Sequence, residues 1–198
     1  MQSIAAKVVI LGSQAVGKTS ITIRYVDKKF SKKETPTIGA SFFTSKMIVE
    51  NVKVKLQIWD TAGQERFKSM APIFYRNSNA AIIVFDITRE NTFQDVYYWV
   101  NELRRNIEEK VVLCLVGNKS DLESERQVSF KDAFNYALSI DAQYMETSAL
   151  ENNGIDEAFT LLGIAIVERS QELMKKASKN VQTHDERTEI EPKQSFLC

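Results

Sequence analysis

The chain has 198 residues, 43% hydrophobic and 26% charged, the make-up of a soluble globular domain of ordinary size with room for a good core. Lys plus Arg and Asp plus Glu both number 26, so net charge gives no reason to expect a nucleic-acid partner. No apolar run approaches the ~20 residues of a membrane-spanning helix, and two cysteines make no disulfide framework, which favours a reducing, cytosolic setting.

Met1-Gln2-Ser3-Ile4 leads almost at once into an apolar run at 5–11 that reads as a buried strand, so no secretory signal is expected. Residues 12–19 then read G-S-Q-A-V-G-K-T, the spacing of a phosphate-binding loop, and a helix is expected at 17–27. Gly12 and Gly17 let the backbone curl around an anion. The N–H groups of Ala15, Val16, Gly17, Lys18, Thr19 and Ser20 can then donate to the α- and β-phosphates. Lys18 places a point charge near the β- and γ-phosphates, and Thr19 offers a hydroxyl to Mg²⁺. A random chain of this length matches such an octet on the order of one time in a hundred. The strand before it and the helix after it make chance a poorer explanation still.

Strands are expected at 42–50 and 52–59, joined as a hairpin at Glu50-Asn51. Val52, Val54, Leu56 and Ile58 alternate as one core face of a strand, so Trp59 should point to the opposite side. Asp60-Thr61-Ala62-Gly63-Gln64-Glu65 follows. An Asp at a strand end can hold Mg²⁺ through water, the Gly63 N–H can approach a γ-phosphate, and Gln64 can orient an attacking water. Alone this D-x-x-G pattern usually means a turn; behind a phosphate loop it gains force.

A helix at about 67–76, a strand at 80–86 and a helix at 91–107 come next. Phe93, Val96, Val100, Leu103 and Ile107 recur at helical steps on one face. The strand at 111–117 holds Cys114, read as an inert core thiol, and ends at Asn118-Lys119-Ser120-Asp121. Asp121 can accept from guanine N1–H and the 2-amino group, which adenine lacks in that arrangement; such discrimination can reach ~10⁴-fold. Asn118 can bridge to the phosphate loop, and the Lys119 stem can lie over the base. A helix at 129–140 and a strand at 143–147 lead to Ser148-Ala149-Leu150, whose N–H groups can meet guanine O6. A final helix is expected at 153–174. From 175 the chain turns polar, without apolar period, and is expected to be a disordered tail at 175–198 after a domain at 1–174. Strands alternating with helices give an α/β three-layer domain whose six-stranded, mostly parallel sheet has one antiparallel edge strand and about five helices.

With these motifs in this order, residues 5–174 resemble the small GTPases of the Ras superfamily, with their P-loop GTPase fold. Trp59-Asp60-Thr61-Ala62-Gly63-Gln64-Glu65-Arg66-Phe67, Thr37-Ile38-Gly39 and Asp86-Ile87-Thr88 are similar to the Rab branch. Thr37-Ile38-Gly39-Ala40 with Phe42, Ala71-Pro72, Phe74-Tyr75-Arg76 and Gly117-Asn118-Lys119 are similar to its early-endosomal subgroup. The resemblance implies a GTP-binding and GTP-hydrolysing switch in vesicle traffic, with Mg²⁺ as cofactor and GTP or GDP as ligand. It implies that Phe30 stacks edgewise on guanine. It implies that Thr37 ligates Mg²⁺ and meets the γ-phosphate in the first of two switch loops, at 31–40 and 60–76. It further implies that Phe42, Trp59 and Phe74 form an effector-binding trio, ordinary packing being the alternative for Phe42 and Phe74. Exchange factors, GTPase-activating proteins, effectors, prenylation escort proteins and membrane-extraction proteins are the implied partners. The implied location is the cytosolic face of an endosomal membrane, in exchange with cytosol.

Two departures from the family stand out. Gln14 replaces the common small residue, so slow intrinsic hydrolysis is expected. Cys198 stands alone at the end rather than as a pair, and Ser195-Phe196-Leu197-Cys198 is not a C-a-a-X box. A geranylgeranyl group on Cys198 would be a single, reversible anchor on a segment that, from residue 177 onward, could reach about 70 Å. The competing readings are a phosphate-loop kinase of small molecules, and a GTP-bound scaffold of another Ras-superfamily branch with little hydrolysis.

Overall fold

The computed structural model describes residues 2–31, 35–63, 71–107 and 110–188. Gln64, Cys198 and the start of the helix expected at 67–76 lie outside them. The strands are β1 (Ser3–Leu11), β2 (Ala40–Val49), β3 (Val52–Thr61), β4 (Ala80–Asp86), β5 (Val112–Asn118) and β6 (Ala142–Thr147). The helices are α1 (Lys18–Asp27), α2 (Ala71–Tyr75), α3 (Glu90–Asn106), α4 (Phe130–Ser139) and α5 (Ile155–Thr188).

One sheet of order β2-β3-β1-β4-β5-β6 forms the middle layer. Its pairings are parallel except β2 with β3, the antiparallel edge expected from the hairpin. Glu50 and Asn51 make that hairpin's two-residue turn, with φ of 49° and 65°. Two successive positive φ values match the right-handed twist of the flanking strands.

Alternation along the strands builds two cores. Ala6, Val8, Ile10, Leu56, Ile58, Ile82 and Val84 face one side and pack with Ile21, Phe159, Leu162 and Ile166 of α1 and α5. Val9, Leu11, Ile83 and Phe85 face the other and pack with Phe93, Val96, Trp99, Val100 and Leu103 of α3 and Ala133 and Ala137 of α4. Each large apolar side chain so buried contributes about 1.5–3 kcal/mol. Cys114 is fully buried, and burial pushes its thiol up to about 12, in keeping with an inert core residue. Among the described residues no helix is long and apolar enough to cross a membrane.

The parallel strands bring their C-terminal ends to one edge. Ile10 pairs with Asp60, Asp86 with Asn118, and Asn118 with Thr147. The motif residues are therefore gathered where open α/β sheets place their ligands.

Two elements differ from the sequence reading. Ser120–Glu125 forms a 3-10 helix that the sequence reading did not include, entered through Lys119 at φ 69°. And α5 continues past residue 174 to Thr188, into the segment expected to be disordered. Between Lys175 and Thr188 there is no Gly or Pro, and Lys, Gln and Glu are good helix formers, so the backbone has no local reason to stop.

Candidate functional site: a nucleotide cleft at the strand ends

The loop between β1 and α1 closes on two glycines whose backbone a larger residue would strain. Gly12 has φ 140°, and a Cβ there would lie 2.2 Å from the Val84 carbonyl oxygen. Gly17 has φ 98°, and its Cβ would lie 2.2 Å from Asn118 Nδ2. Ala15 adopts a positive φ of 63° between them. The loop runs straight into α1, whose first N–H groups have no intrahelical acceptor and form an anion site. Lys18 is only 5% exposed; its Nζ donates to the carbonyls of Gly12 and Ser13, both at 2.8 Å. Burial pulls its pKa down to about 8, against the opposing pull of the Asp60 carboxylate. A cavity of about 150 Å³ lies here, lined by Gln14, Ala15, Gly17, Lys18, Thr19, Ser20, Thr35, Pro36, Thr37 and Gly63.

Three oxygens converge beside it. Thr19 Oγ1 donates to Asp60 Oδ2 at 2.6 Å and lies 2.7 Å from Thr37 Oγ1. Asp60 is fully buried at the end of β3. Among the described residues no cluster of three or more His, Cys, Asp or Glu could hold a metal. A cation here would rely on one carboxylate, two hydroxyls and the ligand's own oxygens, a hard donor set that fits Mg²⁺. Gly63 closes this wall: a Cβ on it would lie 2.4 Å from Lys18 Nζ and 2.5 Å from the Ser13 carbonyl oxygen.

The end of β5 supplies the other half. Asn118 is 2% exposed; its Nδ2 donates to the Val16 carbonyl at 2.8 Å and its Oδ1 accepts from Thr147 Oγ1 at 3.1 Å. Asp121 accepts from Ser148 Oγ at 2.6 Å. The carbonyls of Ala149 and Leu150 accept from the Arg24 guanidinium at 2.9 and 3.1 Å, and Arg24 also lies 5.3 Å from the Phe30 ring. One expectation needs correction. The Ser148 N–H, counted among donors to a base oxygen, donates instead to the Asn153 carbonyl at 3.0 Å. That antiparallel bridge between Ser148 and Asn153 closes the 148–153 turn.

Sequence reasoning missed Arg24, Thr147 and the pairing of Lys119 Nζ with buried Asp86 at 2.6 Å. A carboxylate at a strand end was the one available signal for Asp86, as it was for Asp60.

On the β2–β3 face, Phe42 pairs across the strands with Trp59, ring centroids 5.2 Å apart, and Phe74 lies 6.2 Å beyond. Trp59 points away from the core face of Ile58, as its break in the alternation required. Phe42 remains 52% exposed, and Ile38 and Ile73 are exposed as well.

A glycine cradle with an inward lysine, a hard-oxygen cluster and a polar second loop at the strand ends define an α/β phosphate-loop nucleotide-binding protein. The Ras family model matches residues 7–168. Ras-related protein Rab-21 of Homo sapiens is 50% identical over 165 residues, covering 83% of this chain and 73% of that one. Ras-related protein RabJ of Dictyostelium discoideum is 50% identical over 165 residues, 83% of this chain and 64% of its own. GTP-binding protein ypt5 of Schizosaccharomyces pombe is 40% identical over 200 residues, 99% and 95% of the two chains. The chain belongs to the Ras family, in its Rab branch and of the early-endosomal type. It is a GTPase that binds GTP and GDP and acts as a switch in endocytic vesicle traffic. Its partners are of the kinds the family uses: exchange factors, GTPase-activating proteins and effectors.

Proposed function

We propose that residues 12–20 hold the phosphates of GTP or GDP while residues 118–121 and 148–150 hold the guanine. The observation that carries this reading is the Asn118 bond to the Val16 carbonyl, which sets the base loop directly against the phosphate loop. The N–H groups of Ala15, Val16, Gly17, Lys18, Thr19 and Ser20 donate to the α- and β-phosphates. Lys18 Nζ exchanges its carbonyl partners for β- and γ-phosphate oxygens. The Asp121 carboxylate, steadied by Ser148 Oγ, accepts from guanine N1–H and the 2-amino group. Ala149 and Leu150 offer their N–H groups to O6, the Lys119 stem covers one face of the base, and Phe30 meets its edge.

Thr19, Thr37 and Asp60 would hold Mg²⁺, the last through water. When bound, the cation neutralises charge on the phosphate oxygens. The Thr37 and Gly63 N–H groups contact the γ-phosphate. Gln64 orients a water for in-line attack on phosphorus; the bond to the β–γ bridging oxygen breaks, and GDP and inorganic phosphate form. Loss of the γ-phosphate removes the two N–H contacts and releases residues 31–40 and 60–76. Phe42, Trp59 and Phe74 form the surface that effectors read.

Gln14 is exposed on the phosphate loop and lines the same cavity as Gly63; a side chain of this size there crowds the groups that would position the attacking water, so intrinsic hydrolysis is slow. The domain spans residues 1–174. A geranylgeranyl group on Cys198, delivered by an escort protein, holds the chain reversibly on the cytosolic face of endosomes, and a membrane-extraction protein returns it to cytosol.

Single-turnover hydrolysis of bound GTP tests the catalytic assignment. Gln64→Leu should slow release of phosphate at least about tenfold, as loss of a positioned group does, while Gln14→Gly should speed it. Equal rates in all three proteins would remove both residues from the reaction.

A further inference from the structure

Asp86, the last residue of β4, is 1% exposed, and both carboxylate oxygens are fully engaged. Oδ1 accepts from the Thr88 N–H at 3.0 Å and from Thr88 Oγ1 at 2.7 Å. Oδ2 accepts from Lys119 Nζ at 2.6 Å and from Arg89 Nε at 3.0 Å. Arg89 does not stop there: its Nη2 donates to the Gln14 carbonyl at 3.2 Å, at the apex of the phosphate loop. A second tie to that apex runs from Ser13 Oγ to Asp95 Oδ2 of α3 at 2.5 Å. One buried carboxylate thus touches the lysine assigned to the base and, through one arginine, the loop assigned to the phosphates.

The placement is not incidental packing. A buried charge is strongly unfavourable unless its partners stay in place, so Lys119 and Arg89 are held rather than free to wander. Burial alone would raise the Asp86 pKa, but the Lys119 and Thr88 hydrogen bonds outweigh it and hold the carboxyl below its ordinary value. Lys119 also sits at φ 69°, in the left-handed region that a lysine seldom adopts.

We propose that Asp86 is a positioning residue for the nucleotide: it fixes the Lys119 stem over the purine and, through Arg89, steadies the phosphate loop at Gln14. The proposal rests on the guanine-site assignment above. It makes nucleotide residence time depend on a group that never touches the nucleotide.

The test is release of a fluorescent GDP analogue from the full chain, chased with excess GDP. Asp86→Asn keeps the size of the side chain and an acceptor for Thr88 but removes the charge. It should speed release about tenfold or more, the loss expected for a charge-assisted bond. Arg89→Gln, at a partly exposed position that does not threaten folding, should speed it about threefold. Because Asp86 acts through Lys119, adding Asp86→Asn to Lys119→Gln should give only the smaller, Arg89-like increment. Release from Asp86→Asn within about twofold of the parent, or a full multiplicative effect in the double variant, would overturn the proposal. So would an Arg89→Gln protein indistinguishable from the parent. If the parent itself fails to retain the analogue, the guanine-site assignment is what fails.

Discussion

The C-terminal edge of the sheet and the β2–β3 face invert the usual distribution of side chains in opposite ways. At the edge, polar groups are buried: Lys18 is 5% exposed, Asp60 0% and Asn118 2%. On the face Phe42 is 52% exposed, and apolar side chains are also out just before β2, where Ile38 is 79% exposed, and in α2, where Ile73 is 70% exposed. Burying charge is unfavourable for folding unless partners are prearranged, and exposing an apolar patch wastes burial unless something covers it. The first region is a finished socket for a small polar ligand. The second is an apolar surface exposed to solvent.

Breaking the socket should give the largest effects. Asn118→Ile leaves the Val16 carbonyl and the Thr147 hydroxyl without their buried partner. GDP affinity, read from release and rebinding rates, should fall about a thousandfold. Next, Gly12→Ala forces a Cβ to within 2.2 Å of the Val84 carbonyl oxygen at φ 140°. Denaturant unfolding should show a loss of about 3 kcal/mol, and a loss below about 1 kcal/mol would mean that the loop rearranges without strain.

The Lys18 charge sharpens the comparison by pH. Its pKa is lowered from 10.5 to about 8 by burial. Between those values the unfolded chain holds this proton and the empty folded site does not, so the nucleotide-free protein becomes more stable as pH rises through that window. Phosphate oxygens restore the ammonium, so binding takes up a proton there and GDP affinity falls by up to about tenfold per pH unit above about 8. Affinity titrations across that range check it, and the slope should vanish in Lys18→Met. The smallest effect belongs to the open face. Phe42→Ala should change unfolding free energy by less than about 1 kcal/mol, whereas Tyr75→Ala, at a fully buried ring in contact with the same sheet, should lose about 3–5 kcal/mol. A large loss at Phe42 would make it core, not surface.

The socket was legible because its parts are local in the chain. Gly12, Gly17, Lys18 and Thr19 carry their spacing with them, and Asp60 and Asn118 announce themselves at the ends of apolar strands. Trp59 was placed on the side opposite Ile58 by the alternation of β3, and there it packs half-buried against the second core. The brace around Asp86 was not legible, because Lys119, Arg89 and Gln14 come from separate loops and meet only once β1, β4 and β5 are paired. The same holds for Arg24, which leaves α1 to reach the Ala149 carbonyl. The run of α5 to Thr188 was misjudged for a different reason: loss of apolar period signals loss of packing, not loss of helix, and nothing after residue 174 breaks the backbone before that point.

The central claim is that Asp121 reads guanine within this socket. Release of GDP and of xanthosine diphosphate, measured side by side for the parent and for Asp121→Asn, tests it most directly. Xanthine carries a carbonyl where guanine carries the 2-amino group, so an amide at residue 121 suits it and a carboxylate does not. The parent should retain GDP far longer than the xanthine nucleotide, and Asp121→Asn should reverse that order, each by about a hundredfold or more. An unchanged preference in Asp121→Asn would contradict the assignment.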